Sequence, residues 1–136
     1  MDYEFLYSFT KRVLSLDESI DWVGITNKYS VLLSTEQRQG MTPYLTDEEN
    51  EEFSSNSVTR HKNTTKFAPK IGKVSYAFGR YRNIRRATVP INDDFYLLLM
   101  FNTRTSDFDD LLTKRVIPML ENEKSRFILP SDESDN

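Results

Sequence analysis

The chain is predicted to be a two-layer α+β domain with one five-stranded antiparallel sheet and helices mainly on one of its faces, in the order α-β-β-α-β-β-β-α. Three observations carry this. From Lys73 to Asn102 the residues alternate, or run apolar, as three successive strands. Upstream, Ile20–Thr26 and Val31–Thr35 flank the turn residues Asn27 to Ser30 as a hairpin. Three other stretches show apolar stripes or start signals at helical spacing, and they fall before, between and after these strands.

The first helix is expected over Tyr3 to Leu16, where Leu6, Phe9, Val13 and Leu16 make one stripe. Asp2 is its expected N-cap, and Lys11 and Arg12 suit the negative end of its dipole. Asp17-Glu18-Ser19 ends it, and the hairpin follows with Trp22, the sole tryptophan, as a core or interface anchor. Glu36 to Pro43 reads as a polar loop. Thr46-Asp47-Glu48-Glu49 is a capping box opening a second helix that runs to about Asn63. Phe53 and Val58 are nearly its only apolar residues, so it is expected to be mostly exposed. Phe67-Ala68-Pro69 is expected to stop it.

The three later strands are read over Lys73–Tyr81, Ile84–Ile91 and Phe95–Phe101, with turns at Arg82-Asn83 and Asn92-Asp93-Asp94. The last is apolar on both faces, which calls for cover on both sides, by helices of this chain and by a further helix or a partner. Pro90 belongs at a strand end, because it has no N–H to donate. Ser106 is the expected cap of a third helix with the stripe Phe108, Leu111, Leu112, Val116, Met119 and Leu120, which Pro118 should kink or end. Residues 1–129 are read as a single domain and 130–136 as a disordered acidic tail.

The absence of cysteine excludes disulfides, thiolate metal sites and a thiol nucleophile. The acidic start Met1-Asp2-Tyr3-Glu4 is unlike a signal peptide, and Phe95–Phe101 is too short to span a membrane as a helix, so the chain is read as cytoplasmic. A net charge of −3 hides a segregation: residues 1–52 carry 4 Lys/Arg against 11 Asp/Glu, residues 53–92 carry 9 against none, and residues 93–136 carry 5 against 10. The simplest account pairs the basic middle with the acidic ends, within the fold or across a dimer. The alternative is a surface for anions.

Ile20-Asp21-Trp22-Val23-Gly24-Ile25, Thr46-Asp47-Glu48-Glu49 and Pro69-Lys70-Ile71-Gly72-Lys73, with Tyr76, Tyr81 and Ile84-Arg85-Arg86, resemble the roadblock/LC7 domain of the profilin-like group. Within that group the chain resembles a small, functionally uncharacterised family from ammonia-oxidising archaea. The likeness covers about residues 3–121. It departs at the first hairpin, where such domains commonly place Gly and this chain reads Asn27-Lys28-Tyr29-Ser30. The resemblance implies a roadblock-like sheet in a non-catalytic interaction or regulatory module, homodimeric, with a protein partner and no cofactor.

The residues offer little catalytic chemistry. His61, the one imidazole, lies between Arg60 and Lys62 with no carboxylate near in sequence, and the cations are expected to lower its pKa. Asp47-Glu48-Glu49 and Asp107-Asp109-Asp110 fit helix N-termini better than metal sites. Gly24, Gly40, Gly72 and Gly79 do not have phosphate-loop spacing. What remains is the basic segment 60–86. Arg80, Arg82, Arg85 and Arg86 flank a hairpin turn beside Tyr76 and Tyr81, and with Lys73 they are the candidate anion- or partner-binding residues, for an anionic ligand, nucleic acid or a protein. Arg80 and Arg86 are expected near each other on adjacent strands, with Asp47 to Glu52 or the tail of a partner as the nearest counter-charge.

Overall fold

A computed structural model describes residues 1–104 and 107–130. Its elements are α1 (Tyr3–Leu14), β1 (Ile20–Asn27), β2 (Leu32–Gln37), α2 (Asp47–Thr64), the helical turn α3 (Ala68–Ile71), β3 (Ala77–Arg80), β4 (Arg85–Pro90), β5 (Phe95–Phe101), and α4 (Phe108–Leu111) and α5 (Ile117–Glu123) joined by a π turn. The strands form one antiparallel sheet ordered β2-β1-β5-β4-β3. Central β5 pairs with β1 on one side and β4 on the other, and every residue in it is buried. Its two apolar faces fill two cores, as the sequence requires.

The larger core holds Phe95, Leu97, Leu99 and Phe101 of β5 against Leu6, Phe9 and Val13 of α1 and Leu112, Val116 and Leu120 of the C-terminal helix. Phe127 closes it with edge-on ring contacts to Phe5, Phe9 and Phe95. Most of the helical cover is therefore on one face. On the other face Trp22, Ile84, Leu98 and Met100 form a smaller core, and α2 lies there as a partial third layer.

α2 is attached by a stripe that looks polar in sequence. Asn50, Ser54, Ser57 and Val58 are its buried residues, at helical spacing. The hydroxyls of Ser54 and Ser57 donate to the carbonyls of Asn50 and Phe53 at 2.6 and 3.0 Å, so the helix's own backbone satisfies them and they can face the sheet. The capping box is present: Thr46 Oγ1 accepts from Glu49 N, and the Glu49 carboxylate accepts from Thr46 N.

Several local expectations need correction. Pro69 does not stop α2. The chain continues through a 3-10 turn into α3, where Pro69 sits in the first turn, whose N–H groups have no intrahelical acceptor in any case. Gly72, at φ 89°, ends that run. Only Ala77–Arg80 of the expected strand Lys73–Tyr81 is paired. Pro118 neither ends nor breaks the last helix. The turn Leu112–Val116 widens to π geometry ahead of it, where Pro118 supplies no N–H to the backbone ladder, and α5 runs on. Ser106 and residues 131–136, where a cap and a disordered tail were expected, lie outside the described residues. The described cap of α4 is Asp107, which accepts from Asp110 N at 3.1 Å.

The first hairpin turn forms without Gly. Asn27 Oδ1 accepts from Tyr29 N and Val31 N at 2.9 and 3.2 Å, and Ser30 takes the left-handed conformation at φ 67°. Arg38, in what reads as a polar loop, braces the sheet to α1. Its guanidinium donates to the carbonyls of Leu14, Asp17 and Ile20 at 2.7, 2.9 and 2.8 Å. The bond to Leu14 O caps the last carbonyl of α1.

Candidate functional site

β3 is one of the two edge strands of the sheet, β2 being the other, and it pairs only with β4, which leaves its other backbone edge open. Phe78 is 40% exposed and Tyr81 44%. The inner side of Phe78 rests on the rings of Phe101 and Phe108, at centroid distances of 6.5 and 5.3 Å. Tyr81 folds back over Gly79, where a Cβ would come within 3.1 Å of the ring, and meets Phe53 of α2 edge-on at 5.9 Å. The open edge and α2 are thus joined by an aromatic pair.

The five candidate basic residues do not form one patch. Arg80 and Arg82 are exposed on the strand and its turn, and Lys73 is exposed farther back, in the loop after α3. Arg85 is buried, with its Nη1 donating to the carbonyls of Tyr81 and Ile84, so it braces the turn that the other arginines flank. Arg86 is also buried, 4% exposed, beneath α2. Its guanidinium lies 3.9 Å from the Phe53 centroid and 5.4 Å from that of Trp22, with no hydrogen-bond acceptor for Nη1 or Nη2 among the described residues. Burial pulls its pKa down to about 10. The register is Arg80 opposite Arg85 and Gly79 opposite Arg86, so Arg80 and Arg86 are diagonal neighbours on adjacent strands, with the Arg86 guanidinium turned under α2.

Of the two ways in which the charges were expected to pair, pairing within the fold is absent among the described residues. The ion pairs there use Arg12, Lys28, Arg38, Lys114, Arg115, Lys124 and Arg126. All of these lie outside the basic stretch 53–92, none of whose 9 cations is in a described pair. Asp47, Glu48, Glu51 and Glu52, on the first turns of α2, are likewise in no described pair. Among the described residues, the basic stretch and the first turns of α2 are thus not ion-paired with each other within one chain.

His61 lies edge-on against Tyr96 at 5.1 Å. Its pKa is lowered by burial against the sheet, rather than by the neighbouring cations as expected. Tyr76 donates to the Asp109 carboxylate, which raises the pKa of the phenol and ties the loop before β3 to the last helix. Among the described residues no group of three or more His, Cys, Asp or Glu is placed to hold a metal, and no helix is long and apolar enough to cross a membrane.

No family model and no curated protein matches the chain. Its structure is nonetheless similar to that of Myxococcus xanthus MglB, with a TM-score of 0.73 at 14% identity over 93% of this chain and 98% of that one. It is similar to the Roadblock/LC7 domain from Streptomyces avermitilis, with a TM-score of 0.69 at 5% identity over 88% of this chain and 95% of the other. A further MglB structure, described as having a tetrameric arrangement, gives a TM-score of 0.71 at 12% identity over 91% and 90% of the two chains. At these identities the likeness is one of fold.

Proposed function

We propose that this chain, which has the roadblock/LC7 fold, is a non-catalytic interaction module that acts as a homodimer and offers its assembled surface to a protein partner. The observation that carries this is the open edge of β3 with Phe78 and Tyr81 beside it. An unpaired strand edge with exposed aromatics favours antiparallel pairing with a second copy, which removes the edge and buries the rings. Charge supports the same arrangement. Exposed Arg80 and Arg82 and the acidic first turns of α2 lie on one chain without pairing, so a two-fold axis would let each copy answer the other's charge. MglB, similar in fold, has been solved in a tetrameric arrangement, which agrees with self-association.

Hydrogen exchange tests this reading. The amides of Ala77–Arg80 are expected to gain protection as protein concentration rises, while those of central β5 stay unchanged. Protection of β3 that is independent of concentration would count against it.

A second reading is binding of an anionic ligand or nucleic acid through segment 60–86, favoured by the absence of described ion pairs for its cations. Exposed Arg80 and Arg82 supply phosphate contacts in it, while buried Arg85 and Arg86 hold the hairpin. A labelled single-stranded oligonucleotide should then bind at low salt and be released near physiological salt. Tight binding that survives physiological salt would move nucleic acid to first place.

A further inference from the structure

Away from the β3 edge, a cleft of about 660 Å³ opens between the end of α2, the α3 turn, the β4–β5 turn and the last helix. This is the size of a site for one small organic molecule. Its apolar lining includes Ile71, Val74, Ile91 and Tyr96, with buried Ile91 at the sheet and Ile71 82% exposed at the mouth. A large aliphatic residue held that far into solvent beside a concave apolar wall stabilises nothing within the chain.

The polar part of the lining is cationic in balance. Lys28, Lys62, Lys73 and Lys124 line it, against Asp93 and Glu121. Lys28 bonds to Asp94 at 2.9 Å and Lys124 to Glu121 at 2.8 Å, and Lys62 donates to the carbonyl of Lys28 at 2.7 Å. These contacts hold three ammonium groups at the cleft wall. Lys73 is in no described ion pair, and it belongs to the stretch that holds 9 Lys/Arg and no acid.

We propose that this cleft binds a small amphipathic anion, a carboxylate on an apolar body, with the headgroup at Lys62 and Lys73 and the body against Ile71, Val74 and Ile91. The site deepens the anion-binding reading by placing it away from Arg80 and Arg82. It is independent of self-association through β3.

Octanoate and its uncharged counterpart octanol are the probes, titrated into the full chain with amide NMR shifts as the readout. Octanoate is expected to saturate, moving amides of Ile71, Val74 and Tyr96, with a Kd about tenfold or more below that of octanol, the difference made by one charge contact. Lys73→Glu and Ile71→Ser, both at exposed positions, should each weaken octanoate binding severalfold and leave the remaining spectrum in place. Loss of oligonucleotide binding with octanoate binding intact would sink only the nucleic-acid reading. Equal affinity for octanoate and octanol, shifts that map to Phe78 and Arg80 instead, or no saturation at millimolar octanoate would each overturn the proposal.

Discussion

Replacing Arg86 with methionine should make the protein more stable. The guanidinium is 4% exposed and finds no acceptor for Nη1 or Nη2 among the described residues. Burial pulls its pKa down to about 10, and at about 1.4 kcal/mol per unit the buried charge opposes folding by about 3 kcal/mol. Stacking on Phe53 and Trp22 returns about 1–2 kcal/mol. Methionine keeps the length of the stem and packs its sulfur against the same rings. Arg86→Met is therefore expected to stabilise by about 1–2 kcal/mol, which raises Tm by several degrees for a chain of this length.

The pH dependence has a definite sign. A base whose folded pKa lies below its unfolded one destabilises the fold while charged, so the penalty is full below about pH 10 and fades as the pH rises from there toward the ordinary arginine value. The advantage of the variant over the parent should thus be constant at neutral pH and shrink in strong alkali. Denaturant melts of both proteins at one fixed concentration measure it. A loss of more than about 1 kcal/mol in Arg86→Met would mean that the guanidinium has an acceptor in solution and that α2 is fastened by a polar contact.

Gly24→Ala places a Cβ 2.4 Å from the Trp22 ring that lies over it, and should cost about 1–3 kcal/mol in a melt, less when Trp22 is first replaced by Leu. Thr46→Ala removes the acceptor for Glu49 N and should cost about 1 kcal/mol, seen as faster amide exchange in the first turn of α2. Phe9→Ala empties a site that is 0% exposed among Phe5 and Phe127, and should cost about 3–5 kcal/mol; a change below 1 kcal/mol would show that this core collapses around the gap.

The sheet was legible because its strongest signal is local. Phe95–Phe101 is apolar at every position, which places it at the centre, and the period-two and helical patterns around it fix the order of elements. α2 was half legible. Its capping box marks the start, but its attachment uses Asn50, Ser54 and Ser57, and the two serine hydroxyls are answered by their own helix, so composition suggests an exposed face where there is a buried one. The basic site was legible only as composition. Nothing in the order of Arg82, Arg85 and Arg86 says that the first is exposed while the others turn inward, since that depends on the pairing of β4 within the sheet and on Phe53 arriving from α2. Arg38 gave no signal, because its acceptors are carbonyls of Leu14, Asp17 and Ile20, distant in sequence and silent in residue type. The cleft beside Lys73 is assembled from five separate segments and has no motif to find.

The account stands most directly on mass in solution. Sedimentation equilibrium at a concentration on the order of tens of micromolar should give twice the 16.0 kDa chain mass. Phe78→Lys, which puts a charge on the open edge, should return the chain to its single mass with an unchanged circular dichroism spectrum. A parent protein that sediments at 16.0 kDa under the same conditions would contradict the account, as would a Phe78→Lys variant that is folded and still paired.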